Sequence, residues 1–230
     1  QDDFQMLQFS QFNQIIDNLD NLFIGKAFKP DALGLFMRAK STKMIPEKIF
    51  SGVISTTAFA MLSKIDYNSE DFKNKHLKFF ELGFYFITPI AFFISLTSNE
   101  ITVGLYGEKW TIAGEYMKLI SFTMIPFFLA NIFNQTIICF GDSKLYLKMN
   151  VFKRILLVLT IPIGIKYGLI TYLISFVGAT IMGLLIDIIF TSKKLKIPIM
   201  NYIKIGLPPL TISLILYYTN YILKQNYVQI

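Results

Sequence analysis

The chain has 230 residues, of which 53% are apolar and only 16% charged, with a mean hydropathy of +0.51 and a net charge of +7. That balance excludes an ordinary soluble domain and places the chain in a bilayer. The basic excess does not read as nucleic-acid binding, because the lysines sit mostly in short loops between apolar runs and not along one stripe.

A helix needs about 20 mostly apolar residues to cross the hydrocarbon core, and on that basis seven candidate spans are marked, an all-α polytopic bundle. The first covers residues 4–24. Placed on a helix, Phe9, Phe12, Ile15, Ile16, Leu19, Leu22 and Phe23 fall in one arc of roughly 140°, and the other side carries Gln11, Gln14, Asp17, Asn18, Asp20 and Asn21. So many amides and carboxylates cannot face lipid, where each unsatisfied group costs several kcal/mol. They are expected to face a wet cavity or polar neighbours.

A polar connection over residues 25–42 precedes the second span, 44–62, with Pro46 in its first turn and the small residues Ser51, Gly52, Ser55 and Thr56 on the side of Lys48. That small-residue side suits close helix packing or an opening beside Lys48. Residues 64–78 read as a charged loop, and the third span, 79–98, carries Pro89 near its middle. Residues 99–118 hold LYGEKW, a glycine turn with Trp110 as an interfacial anchor. The fourth span, 119–140, presents Asn131, Asn134 and Gln135 at i, i+3 and i+4, pointing inward.

After a basic turn over 141–154, the short fifth span, 151–165, gains length if Lys153 and Arg154 snorkel to the interface. Gly164 and Gly168 bracket the next turn. The sixth span, 169–190, has a seam of Ser175, Ala179 and Gly183 suited to helix association, with Asp187 near its end beside Lys193, Lys194 and Lys196. The seventh, 205–223, is entered through Pro208 and Pro209, and Tyr217, Tyr218 and Tyr221 form part of an aromatic belt.

Lys and Arg concentrate in the loops after spans two, four and six, which places those loops in the cytoplasm. Lys26, Lys29, Arg38, Lys40, Lys43 and Lys48 fall on the opposite side. Either this is loop charge offset by Asp31 and Glu47, or part of the cluster hangs into the cavity and offers positive potential to an anion. A single cysteine, Cys139, excludes an intrachain disulfide, and a single histidine, His76, argues against a histidine-ligated metal or His-based catalysis. No nucleophile is matched with a base, so an enzyme is not expected, nor any cofactor or metal. The chain opens on Gln1 without a signal-peptide pattern and reads as a piece cut from a longer membrane protein.

The run DNLFIGKAFKPDALGLFMRAKSTKMIPEKIFSGVISTTAFAMLSKI resembles the O-antigen and capsule flippases of the multidrug/oligosaccharidyl-lipid/polysaccharide exporter superfamily, in particular the branch associated with colanic and teichuronic acid export. The matching features are Asp20, Ile24-Gly25, Leu33-Gly34, Phe36, Arg38-Ala39, Pro46 and Leu62-Ser63, followed by LYGEKW at residues 105–110. Lys29-Pro30 stands where the family more often has a glycine nearby. The resemblance implies a multi-pass protein of the bacterial inner membrane with two six-helix lobes. This chain would be the second lobe (residues 1–191) followed by a basic connection and an extra helix (192–230).

It further implies alternating access for an undecaprenyl-pyrophosphate-linked oligosaccharide in lipopolysaccharide or capsule export. The partners are that lipid-linked substrate, membrane lipids, the N-terminal half of the same transporter and polysaccharide polymerase machinery, with no nucleic acid. Carried onto this chain, Arg38 is the candidate for holding the pyrophosphate. Lys40 and Lys48 join it by position and facing, and the amides Gln11, Gln14, Asn18, Asn21, Asn131, Asn134 and Gln135 are candidates for sugar hydroxyls. Asp17 and Asp20 are candidates for a coupling proton or sodium ion. The rival reading within the superfamily is a cation-coupled multidrug exporter, which would use that acidic pair.

Overall fold

The computed structural model describes residues 19–28 and 30–227, all in helices and short turns. In chain order the helices are α1 (Leu19–Ala27), α2 (Pro30–Leu62), α3 (Glu70–Leu96), α4 (Ser98–Tyr106), α5 (Thr111–Ile120), α6 (Met124–Cys139), α7 (Ser143–Val158), α8 (Thr160–Tyr167), α9 (Leu169–Leu195) and α10 (Ile199–Tyr227). Four stretches among the described residues are long and apolar enough to cross a membrane: Glu70–Leu96, Glu108–Cys139, Leu169–Leu195 and Ile199–Asn220. Of the other expected spans, the first lies largely outside the described residues, the second is part of a longer helix, and the fifth is divided between α7 and α8.

The polar connection expected over 25–42 is helix for most of its length. Pro30 opens α2 at the first helical position, where its missing N–H is no loss, and Asp31 supplies the negative charge that a helix start favours. Leu, Met, Ala, Arg and Lys then sustain it, since charge lowers hydropathy without lowering helix propensity. The result is 33 residues, about 50 Å of helix, with Pro46 in its interior and not in its first turn.

The expected charged loop 64–78 is also mostly helix. Ser69 accepts the Phe72 N–H at 3.2 Å and caps α3. Lys73 pairs with Glu70 at 2.6 Å, Lys75 with Asp71 at 3.0 Å and Lys78 with Glu81 at 2.9 Å, while Phe72, His76 and Phe80, spaced four apart, turn inward. Residues 99–118 form a helical hairpin, α4 and α5, around LYGEKW, and Gly107 makes the turn at φ 89°, a backbone state that glycine enters without a Cβ clash. The basic turn expected over 141–154 shrinks to residues 140–142, since Asp142 accepts the Leu145 N–H at 3.0 Å and starts α7. Gly164, expected to bracket a turn, is buried inside α8. An added Cβ there would lie 2.8 Å from Tyr172 Cβ and 3.1 Å from the Phe23 ring, so the glycine lets α1, α8 and α9 close on one another.

Helix α6 lies at the centre, packed against α2, α3 and α9, while α10 packs chiefly along α3. The α3, α6, α10 seam is dry. Phe80, Phe133 and Tyr202 stack there with ring centroids 5.1 to 5.9 Å apart. His76, fully buried and not in a loop as expected, accounts for both ring nitrogens: Nδ1 lies 2.9 Å from Thr136 Oγ1 and Nε2 lies 2.9 Å from the Tyr202 hydroxyl. One side chain thereby ties three helices.

Candidate functional site

A different chemistry fills the opposite side of α6. Two cavities lie there, of about 280 Å³ and about 390 Å³, and both are lined by Glu47, Phe127, Arg154 and Leu157. They therefore meet, and together they lie within the size range of ligand sites. The larger runs beside the first half of α2, with Asn21, Lys40 and Lys43 in its wall. The smaller lies between α6, α7 and α9, with Asn131, Asn134, Asn150, Lys153 and Asp187 in its wall.

Lys43 is only 4% exposed. Its ammonium donates to Glu47 Oε2 at 2.9 Å and to Thr123 Oγ1 at 2.7 Å, and sits 5.2 Å over the Phe127 ring. Asp187 is fully buried, and Lys153 Nζ from the neighbouring helix lies 2.8 and 3.1 Å from its two oxygens. Lys153 and Arg154 thus turn into the bundle wall instead of snorkelling to the interface, because Asp187 offers Lys153 a charged partner there. The small-residue seam of α9 has a second use: an added Cβ at Gly183 would come 3.3 Å from Lys153 Cγ, so this glycine makes room for the lysine stem. Asn131 and Asn150 donate to carbonyls of their own helices, while the Asn134 amide oxygen is buried with no hydrogen-bond partner. A buried acceptor of that kind calls for a donor.

The expected site residues divide. Lys40, Asn21, Asn131 and Asn134 line the cavities. Gln135 is half-buried and lines neither. Lys48 is exposed outside both, and Gly52 near it is exposed, with nothing within 4 Å of an added Cβ. Arg38 also lies outside both linings. Its guanidinium stacks 4.7 Å from the Tyr106 ring centre and 5.2 Å from that of Trp110, and the Tyr106 hydroxyl is in turn 2.9 Å from Thr42 Oγ1. The LYGEKW turn therefore cradles an arginine, and Trp110 does more than mark an interface. Gln11, Gln14, Asp17 and Asn18, and the side chain of Asp20, lie outside the described residues.

Glu47, Asn150, Lys153, Arg154 and Asp187 were not among the expected site residues, and Lys43 figured only in the basic cluster. The signal for Lys153, Arg154 and Asp187 was their place inside apolar spans, where ionisable groups mark function by default. For Lys43 and Glu47 it was their i, i+4 spacing. Among the described residues, no three His, Cys, Asp or Glu side chains gather as a metal site.

Residues 4–115 match a family described as polysaccharide biosynthesis protein. No curated protein matches the chain. Among solved structures, the lipid II flippase MurJ in its inward closed conformation is similar at 17% identity and a TM-score of 0.65, over 81% of this chain and 41% of that one. The chain shares the MurJ fold and spans about two fifths of that protein's length. The family match over residues 4–115 agrees with the resemblance to proteins of polysaccharide export, the likeness to MurJ shows the fold, and the chain is a multi-pass, all-α membrane protein.

Proposed function

We propose that the chain forms one lobe of a flippase for a lipid-linked oligosaccharide. Both comparisons point to transport and not to an enzyme. The observation that carries the reading is the pair of adjoining cavities, where Lys40, Lys43, Lys153 and Arg154 stand in the walls of a bundle otherwise built for lipid. Cations in so poorly solvated a place attract a diphosphate far more strongly than they would in water. Asn131, Asn134 and Asn150 suit sugar hydroxyls, and the Asn134 oxygen has a vacant acceptor for one.

The finer reading is an undecaprenyl-pyrophosphate-linked repeat unit, turned over in the bacterial inner membrane by rocking against an N-terminal lobe and delivered to polymerase machinery. Repeat-built transporters commonly work by such rocking. In this scheme residues 1–191 are the lobe, and the segment 192–230 adds α10 to it. Arg38, held on its aromatic shelf, and Lys48 meet the diphosphate outside this cavity, and Asp17 and Asp20 bind the coupling ion.

The test is export in cells. Arg154→Gln should cut surface polysaccharide about tenfold or more, from the loss of one charge-assisted contact, while lipid-linked repeat units accumulate in the membrane. Full export in cells lacking the whole protein, with toxic-cation efflux lost instead, would sink the reading and favour the drug exporter.

A further inference from the structure

The cations of the cavity are already partnered. Lys43 is held by Glu47 at 2.9 Å, and Lys153 by Asp187 at 2.8 Å. Asp187 is fully buried and the Glu47 side chain is 15% exposed, so both carboxylates have given up most of their water. Stability does not explain them, since apolar residues of similar volume often serve a buried site as well as an ion pair does. Attraction for an anion does not explain them either, because a carboxylate beside each lysine opposes it. Arg154 stands where the two cavities meet, next to Lys153 in sequence and lining the same space as Glu47.

What the carboxylates do supply is a competitor. A cavity of bare cations in a weakly solvated place would hold a diphosphate and not let it go, whereas passage requires sites that bind well enough to admit and weakly enough to release. We propose that Glu47 and Asp187 are displaceable counter-ions: an arriving diphosphate takes Lys43 and Lys153 from them, and the carboxylates reclaim the lysines as it departs. Gly183 makes room for the Lys153 stem, since an added Cβ there would lie 3.3 Å from its Cγ, and the lysine itself lines the cavity the diphosphate would enter. The ligand class is a diphosphate monoester or diester carried on a lipid, and the inference rests on the flippase reading for that cargo.

Inorganic pyrophosphate, titrated calorimetrically into the purified full-length protein in detergent, is the probe. Glu47→Gln and Asp187→Asn should each tighten its binding about tenfold or more, the worth of one charge-assisted hydrogen bond, and Lys153→Gln should weaken it by a similar factor. In cells the two carboxylate variants should export less surface polysaccharide although they bind more tightly. Asp187→Asn strands Lys153 in the wall, so Glu47→Gln, nearer to solvent, serves as the variant that folds, with melting temperatures checked alongside. Parent-like or weaker pyrophosphate binding in a folded Glu47→Gln protein, no pyrophosphate binding by the parent, or tighter binding with undiminished export would each overturn the proposal. Loss of export in cells lacking the protein is read separately, so the counter-ion role can fail while the flippase reading stands.

Discussion

The two sides of α6 bury polar groups in opposite ways. On the α3 and α10 side, His76 hydrogen-bonds to the uncharged hydroxyls of Thr136 and Tyr202, and aromatic rings pack around it. On the α2, α7 and α9 side, full charges meet in pairs around open space. Such hydrogen bonds suit a joint that stays shut, because each partner is satisfied only in that arrangement. Ion pairs beside a cavity suit a surface that must exchange partners. The same helix is sealed on one side and, in the flippase reading proposed above, presents the working face on the other.

Breaking one ion pair should have the largest effect on stability. Asp187→Ala leaves Lys153 charged and unpaired and should cost about 3–5 kcal/mol, read as thermal unfolding in detergent. Replacing both partners, Lys153→Met with Asp187→Leu, should restore most of that stability but not export, which would turn the working face into a second sealed side. Next comes the seam. Tyr202→Phe deprives His76 of one partner in a dry site and should cost about 1–3 kcal/mol with little change in pyrophosphate binding. An export loss as large as that of Arg154→Gln would show that the two sides are not separate.

The smallest effect lies at the tip shared by both, where Asp142 caps α7 and meets Lys194 at 2.7 Å. The hydrogen bond from Lys194, then that from the Leu145 N–H, holds its carboxyl below the ordinary carboxylate range. A carboxyl lowered in the folded state stabilises the fold at neutral pH, and the gain disappears as pH falls through the lowered value. Asp142→Ala should cost about 1 kcal/mol at pH 7, and this gap from the parent should close in acid.

The helical membrane class, the joint at LYGEKW and the inward facing of Asn131 and Asn134 were legible in the sequence. What misled was the equation of charge with loop. Lys73, Lys75 and Lys78 lie on helix because acidic partners one turn away satisfy them, and the Gly25 to Thr42 stretch is helix because its residues favour that state whatever their hydropathy. The site was half legible for a related reason. Periodicity assigns a residue to a face, but only tertiary packing decides which neighbour that face meets. So Arg38, conspicuous in its motif, rests on Tyr106 and Trp110, while Lys153, with its head group read as reaching for the interface, turns inward to Asp187. Nothing near Asp187 in sequence announces a partner 34 residues away.

Pro46 sits one residue before Glu47, at the waist where the two chambers join. A proline inside a helix removes one rung of its ladder and loosens the rod at that point. The longest of the described helices thus lacks a rung at the level where both chambers share a wall. The missing rung falls beside Glu47, the one α2 residue that lines both chambers.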